Sequence, residues 1–107
     1  MLVLDRAHFD HMTGGDRALQ HEILDLFLGQ IAGWRAAISA GEGWRDAVHT
    51  LKGSARGIGL AALAAACEEA EQASDSAAAL AGVGAALTQA LAALEQFAAE
   101  AAPRGVR

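Results

Sequence analysis

The residues of this sequence that could do chemistry lie in one short stretch, residues 48–55, with the sequence VHTLKGSA. In a helix, His49 and Gly53 would lie one turn apart, with Lys52 beside them. A glycine inside a helix costs about 1 kcal/mol relative to alanine, and alanine is abundant here, with 28 copies. The glycine therefore indicates that the surface beside His49 has to stay clear of side chains.

A histidine and two cations on one helical face could together carry a phosphoryl group. Histidine can act as a nucleophile that forms a covalent intermediate. Lys52 and Arg56 could donate charge-assisted hydrogen bonds to the phosphoryl oxygens, and Gly53 would let a partner protein approach. Arg56 enters this set on helical spacing alone. The alternative interpretation is an ordinary solvated polar face.

Apolar residues recur at helical spacing in four stretches, which predicts four long helices. The four stripes are Leu19, Ile23, Phe27, Ile31, Trp34 and Ile38; Trp44, Val48, Leu51, Ala55 and Ile58; Leu60, Leu63, Cys67 and Ala70; and Leu80, Leu87, Leu91 and Leu94. Asp16 is the expected N-cap of the first. The segments expected to end the helices are 41–43, 57–59, 74–76 and, at the latest, Pro103. A short helix is expected around residues 4–12.

Short connections between these helices make consecutive helices antiparallel neighbours. The expected fold class is therefore all-α, an antiparallel up-down-up-down four-helix bundle with a short additional N-terminal helix. Residues 1–107 would form a single domain, with the bundle core at about 16–102 and a C-terminal tail at 103–107. Because His49 lies beside the core stripe of its helix and not within it, we expect its side chain to be largely exposed.

Composition and charge argue against several classes of protein. The net charge of −5 disfavours nucleic-acid binding, and no run of 18 uncharged residues rich in Leu, Ile and Val suggests a membrane span. The N-terminus lacks the pattern of a secretory signal. A single cysteine cannot form an internal disulfide, which fits a reducing cytosol. We therefore expect a cytoplasmic protein that binds neither nucleic acid nor membrane.

Several other polar or aromatic residues are interpreted as structural. His8 and His11 could ligate a metal, but no third set of ligands has matching spacing, so no metal site is expected. Cys67 lies on a core stripe and is expected to be a small buried hydrophobe without a redox role. Trp34 and Trp44 are expected to anchor the core or its end.

Acidic residues prevail after the His49 stretch. Residues 57–103 contain six acids and no base. We expect Glu68, Glu69 and Glu71 to form a solvated face of the third long helix and not an acid–base pair.

Residues 48–71 resemble the histidine phosphotransfer (HPt) domain family. The family pattern H-x-L-K-G-S-x-x-x-x-G-x-x-x-L-x-x-x-C-x-x-L-E is matched by His49, Leu51, Lys52, Gly53, Ser54, Gly59, Leu63, Cys67 and Glu71. The upstream Gly-Gly-Asp and LDLF segments also look like the family. Val48 and Ala70 depart from it, since an Ala before the histidine and a Leu before the glutamate are usual. Arg56 is not part of the pattern, whereas Glu71 is, and the resemblance implies that Glu71 supports the packing of its helix.

The resemblance implies a four-helix bundle that carries phosphate on His49. The group would come from the aspartyl phosphate of a receiver domain, or from a hybrid or other histidine kinase, and would pass to another receiver aspartate. The Mg²⁺ and the acidic pocket would belong to the receiver, so no cofactor is expected. The family has no ATP site, and this sequence has no phosphate-cradling Gly-rich loop followed by Lys-Ser/Thr; we expect no kinase activity and a monomer.

Two alternatives stay open at this point. One is a helical adaptor bundle that binds partner helices and carries no phosphate. The other is a stand-alone relative of the phosphoacceptor domain of a histidine kinase.

Overall fold

The computed structural model describes residues 1–40 and 43–101, and over these residues the chain is helical without a strand. The helices are α1 (Arg6–Thr13), α2 (Arg17–Ala40), α3 (Trp44–Ile58), α4 (Ala61–Gln72) and α5 (Ser76–Ala101). The helix end expected at Pro103 and the tail at 103–107 lie outside the described residues, as does most of the break expected at 41–43.

Helices α2 to α5 form a bundle in which each helix packs against the next, and α5 closes back on α2. The short α1 lies against α2 and α3. The core draws on all five helices, since Phe9 of α1 and Gln20 of α2 are fully buried. The residues with no exposed surface among those described lie in α3, α4, α5 and the turn between α3 and α4: Val48, Leu51, Ala55, Leu60, Cys67, Ala70, Val83 and Ala90. The predicted all-α bundle with an additional N-terminal helix is confirmed. Within the described chain, the backbones of α3 and α5 do not approach each other as neighbouring helices do, so these two helices occupy opposite corners of the bundle.

Aspartate side chains cap the N-termini of three helices by accepting hydrogen bonds from backbone amides that lack a partner within the helix. Asp5 Oδ1 accepts from the amide of the third residue of α1, at 3.1 Å. Asp16 Oδ1 accepts from the third residue of α2, at 3.1 Å, as predicted. Asp75 Oδ1 does the same for α5, at 3.3 Å.

The predicted buried face of α2 is confirmed at Phe27, Ile31 and Trp34, but the start of the helix differs from the prediction. Leu19 is 39% exposed, whereas Gln20 and Leu24 are buried. The amide of Gln20 is satisfied inside the protein, because its Nε2 donates to Asp10 Oδ1 at 2.8 Å and to Thr13 Oγ1 at 2.9 Å. A search for apolar spacing passes over such a residue, since its burial depends on partners in another helix.

The last helix buries a face that overlaps only in part with the predicted one. Leu87 and Leu94 are buried, but Leu80 and Leu91 are only partly so, and Val83, Ala90 and Phe97 complete the buried face. By length and composition alone, residues 76–100 could cross a membrane, with a mean hydropathy of 1.7. Alanine is the commonest residue of this helix, and α5 packs against α4 as a bundle helix.

The turn between α3 and α4 depends on Gly59. This residue has a φ of 97°, which disfavours side chains. Its carbonyl accepts from the amide of Asp5 at 2.7 Å, and a Cβ here would lie 2.8 Å from the Asp5 carbonyl oxygen. The predicted break is therefore at Gly59, while Gly57 lies inside α3. Because the turn is so short, α3 and α4 run side by side in opposite directions.

Candidate functional site

Helix α3 buries one face and presents the other to solvent. Val48, Leu51 and Ala55 are fully buried, which turns His49 outward. The His49 side chain is 70% exposed, and Gly53 and Arg56 are also exposed. The exposure predicted for His49 from its place beside the core stripe is confirmed.

The ring of His49 is held from one side by helix α4. Its Nδ1 lies 3.1 Å from Oε2 of Glu71. Hydrogen bonds from Lys52 first, and then from His49, lower the pKa of the Glu71 carboxyl, which is therefore ionised near neutral pH. An ionised carboxylate only accepts hydrogen bonds, so Nδ1 carries the proton and donates. In the neutral ring the lone pair then lies on Nε2, which has no partner among the described residues.

Lys52 lies between two carboxylates and is only 11% exposed. Its Nζ is 2.6 Å from Oε1 of Glu71 and 3.3 Å from Oε2 of Glu68. These carboxylates raise the pKa of the lysine, the hydrogen bond to Glu71 contributing most. The site therefore keeps a positive charge one turn from the histidine, bound to the same carboxylate as the ring.

Arg56 and Lys52 share one carboxylate oxygen. Nη2 of Arg56 donates to Glu68 Oε2 at 2.8 Å, the oxygen that Lys52 also binds. The other oxygen of Glu68 accepts from Nε2 of Gln72 at 3.1 Å. His49, Lys52 and Arg56, grouped from helical spacing, are thus linked through two glutamates of the neighbouring helix.

The prediction of a solvated glutamate face on α4 is confirmed for Glu69, is partly right for Glu68, whose side chain is 42% exposed, and is wrong for Glu71, which packs against α3. Glu69 is exposed, but Glu68 and Glu71 lie against α3 and bind its cations. The antiparallel turn explains why, since residues equally far from it lie side by side. That register, centred on residue 60, pairs His49 with Glu71 and Lys52 with Glu68. A turn centred on the predicted segment 57–59 would have paired His49 with Cys67 instead, so the sequence alone did not reveal these contacts.

Small buried residues let α3 and α4 approach closely enough for these contacts. Ala55, Cys67 and Ala70 are fully buried between the helices. Burial raises the pKa of the Cys67 thiol to about 11, so this cysteine is a packing residue, as predicted. Trp34 is buried as well, and Trp44 is half-buried at the start of α3.

Arg45, which the sequence analysis did not single out, also contacts α4. Its Nη1 donates to the backbone carbonyl of Glu71 at 2.9 Å, and its guanidinium carbon lies 4.4 Å from the centroid of the Trp44 ring. A cation bound to a carbonyl in the last turn of a helix interacts favourably with the helix dipole. Arg45 thus ties the end of α4 to the start of α3.

The exposed surface beside His49 is bare. A Cβ added to Gly53 or to Gly57 would meet nothing within 4 Å. Packing therefore does not require glycine at either position. Since Gly57 lies one turn beyond Gly53 on the same helix, the two residues leave a strip of helix surface free of side chains.

An open apolar groove of about 390 Å³ continues this strip between α1, α2 and α3. Gly57 and Ser54 form its α3 edge, and Phe9 and Phe27 are among the residues that line it. Two large apolar residues on its rim are well exposed, Leu26 at 67% and Met12 at 58%. Exposed clusters of large apolar side chains of this kind mark interaction surfaces.

The described residues contain no group of three or more histidines, cysteines, aspartates or glutamates that could hold a metal ion. His11 is exposed and His8 is half-buried. The Cδ2 atom of His8 lies close to the turn, 3.2 Å from where a Cβ of Gly59 would be.

Comparisons with known proteins agree with this arrangement. The profile of the Hpt domain matches residues 19–100, which cover α3, α4 and most of α2 and α5. The crystal structure of the histidine phosphotransferase ShpA from Caulobacter crescentus is similar, with a TM-score of 0.82 and 39% sequence identity. The superposition covers 92% of this chain and 93% of that chain. No curated protein matches the sequence significantly.

Proposed function

The chain belongs to the Hpt domain family and is a phosphotransfer protein of a phosphorelay, and from this premise we propose that His49 carries the phosphoryl group. The proposal depends on the surroundings of the His49 ring. The His49 side chain is 70% exposed, its Nδ1 is bound by Glu71, and its Nε2 is left without a partner among the described residues. A nucleophile needs this combination of a fixed ring and an open lone pair.

The chemistry assigned to His49 is a reversible transfer between nitrogen and oxygen. Nε2 attacks phosphorus as the bond from phosphorus to an aspartate oxygen of the receiver breaks, and the bonding electrons leave with that oxygen. The ring, which keeps its Nδ1 proton, becomes positively charged. The carboxylate of Glu71 balances this charge, and the charged ring remains a good leaving group for the onward transfer.

Lys52 and Arg56 are proposed to stabilise the phosphoryl oxygens. Their charges lie within one and two turns of His49 on the same helix, and phosphoryl transfer depends on cations placed near the oxygens. Lys52 is the stronger candidate, since it is bound to the same carboxylate as the ring. Arg56 is 60% exposed and can move further towards a bound group.

We propose that a receiver domain docks along the bare strip and the groove beyond it. Phosphotransfer requires the aspartate of the receiver to reach Nε2, so its active site must cover His49 and Gly53. A rigid domain placed there extends along α3 over Gly57 and reaches Leu26. The same receiver would then use both the surface left open by Gly53 and the apolar groove.

Hpt domain proteins as a group are phosphocarriers and not kinases, and they act with receiver domains and histidine kinases. For this chain we further propose that it has no ATP-binding kinase activity of its own and no cofactor. We also propose that residues 1–107 act as one monomeric, cytoplasmic domain that exchanges phosphate with receivers and with a hybrid or other histidine kinase. The net charge of −5 supports the absence of nucleic-acid binding, and the packing of α5 in the bundle supports the absence of a membrane span.

Replacing the proposed phosphate carrier tests this assignment. His49→Gln should carry no acid-labile, base-stable phosphate after incubation with phosphorylated receivers, because glutamine has no nucleophilic ring nitrogen. Its far-UV circular dichroism and melting temperature should match those of the wild type, since the side chain is exposed. The matched control is His21→Gln, an exposed histidine of α2, which should be labelled normally. If His49→Gln still carries acid-labile phosphate, the phosphorylated residue is not His49.

A further inference from the structure

Glu68 binds the two cations of the site without touching the histidine. Its Oε2 lies 3.3 Å from Nζ of Lys52 and 2.8 Å from Nη2 of Arg56. Glu71, in contrast, binds both Lys52 and the ring of His49. Positioning of the His49 ring therefore accounts for the contacts of Glu71. It does not account for the contacts of Glu68.

The contacts of Glu68 are made to the same groups that the phosphoryl group would need. A phosphoryl group on Nε2 would bring about two negative charges and three acceptor oxygens next to Lys52 and Arg56. A guanidinium or ammonium group that turns towards those oxygens weakens or loses its contact with Glu68. The carboxylate, which is 42% exposed, remains nearby as a like charge.

We propose that Glu68 competes with the phosphoryl group for Lys52 and Arg56 and thereby makes phosphorylated His49 a better phosphate donor. The inference rests on the proposed function of His49. It assigns Glu68 as a positioning residue, which acts through the two cations and not on the reacting atoms.

The competition raises the free energy of the phosphorylated chain relative to the unphosphorylated chain, and it does not act on the receiver. When phosphate passes onward, the bond between phosphorus and Nε2 breaks and its electron pair returns to Nε2. A bond forms from phosphorus to a carboxylate oxygen of the receiver aspartate, Nδ1 keeps its proton, and nothing is oxidised or reduced. The cations are then free to bind Glu68 again. Glu68 therefore favours the unphosphorylated state and shifts the equilibrium towards the receiver.

The test is the equilibrium between phosphorylated chain and phosphorylated receiver, measured with a receiver that exchanges phosphate with the wild type. Glu68→Gln removes the charge at nearly constant shape. It should shift the equilibrium about two- to fivefold towards phosphorylated His49, the range expected when a partly exposed carboxylate loses its ion pairs. Glu69→Gln is the matched control, because it removes the same charge at an adjacent exposed residue that has no ion pair in the described structure. It should leave the equilibrium within 1.5-fold of the wild type.

A second set of variants shows whether the effect passes through the cations. In a Lys52→Met, Arg56→Gln background, Glu68→Gln should no longer shift the equilibrium. Equal shifts for Glu68→Gln and Glu69→Gln, or a shift that persists without the cations, would overturn the inference and leave the role of His49 intact. If no receiver labels the wild type, or if His49→Gln is labelled, the proposed function itself fails.

Discussion

Nδ1 of His49 lies 3.1 Å from Oε2 of Glu71, although the two residues are 22 positions apart in the chain. The other oxygen of the same carboxylate lies 2.6 Å from Nζ of Lys52. One acidic side chain therefore sets both the proton position on the ring and the place of the nearest cation. Removal of this carboxylate should have separate effects on transfer and on stability.

Glu71→Gln should slow the phosphorylation of His49 about tenfold, since a hydrogen bond to a charged group contributes about 1.5 kcal/mol. The glutamine amide can still contact the ring, but it cannot balance the positive charge that the ring gains. Initial rates with one phosphorylated receiver measure the effect, and Glu69→Gln is the control for net charge. A wild-type rate in Glu71→Gln would show that the ring needs no carboxylate.

The stability of the fold should depend on pH through Glu71. Its pKa is lower in the folded protein than the ordinary value of 4.5, with the hydrogen bond from Lys52 as the main cause. A lowered pKa contributes stability that is fully present above 4.5 and is lost as the pH falls through the folded value. Urea unfolding should therefore show Glu71→Gln to be less stable than the wild type at pH 7, with a difference that shrinks below pH 4.5. A difference that stays constant down to pH 3 would contradict this assignment.

Lys52→Ala should slow phosphorylation of His49 by about tenfold, because a cation near the transferring group stabilises its developing charge. Arg56→Ala should have a smaller effect, since Arg56 lies further along the helix and is more exposed. Arg35→Ala removes the same charge from an exposed position on α2 and should leave the rate unchanged. If Arg56→Ala reduces the rate of phosphorylation of His49 more than Lys52→Ala does, the phosphoryl group lies nearer the end of α3 than we propose.

Substitutions at Gly53 should separate stability from transfer. Gly53→Ala should raise the free energy of unfolding by up to about 1 kcal/mol through helix propensity, and Gly53→Leu should stay folded, because the space is open. The leucine should nevertheless abolish transfer from receivers by blocking their approach to His49. Thermal melts and transfer rates on the same samples give both values. Gly82→Leu, at an open position of α5, is the control, and wild-type transfer by Gly53→Leu would rule out the clearance role.

Leu26→Asp should weaken receiver docking and spare the chemistry at His49. We expect KM for the phosphorylated receiver to rise about tenfold, which corresponds to a smaller free-energy change than fully burying a leucine side chain. Phosphorylation by phosphoramidate, a small donor that needs no docking surface, should keep its wild-type rate. Leu28→Asp changes an exposed leucine of the same helix that does not line the groove. Equal effects of the two substitutions would place the receiver elsewhere.

Much of the fold could be predicted because helical spacing of apolar residues is a local property. Val48, Leu51 and Ala55 defined the buried face of α3, and the exposure of His49 followed from that face alone. The prediction failed at Gln20, whose burial depends on Asp10 and Thr13 in another helix. It failed in the same way at Glu71, because a carboxylate on a helix surface is solvated unless a neighbouring helix brings a cation to it.

The sequence by itself determined that His49, Lys52, Gly53 and Arg56 share one exposed helical face, since their spacing places them there whatever surrounds the helix. Only the tertiary structure decided how they are connected. The glycine turn at Gly59 and the small residues between α3 and α4 set the register and the distance of the two helices. Ion pairs and hydrogen bonds across that boundary depend on a few ångströms of position, and such distances arise from packing and not from the pattern of either helix.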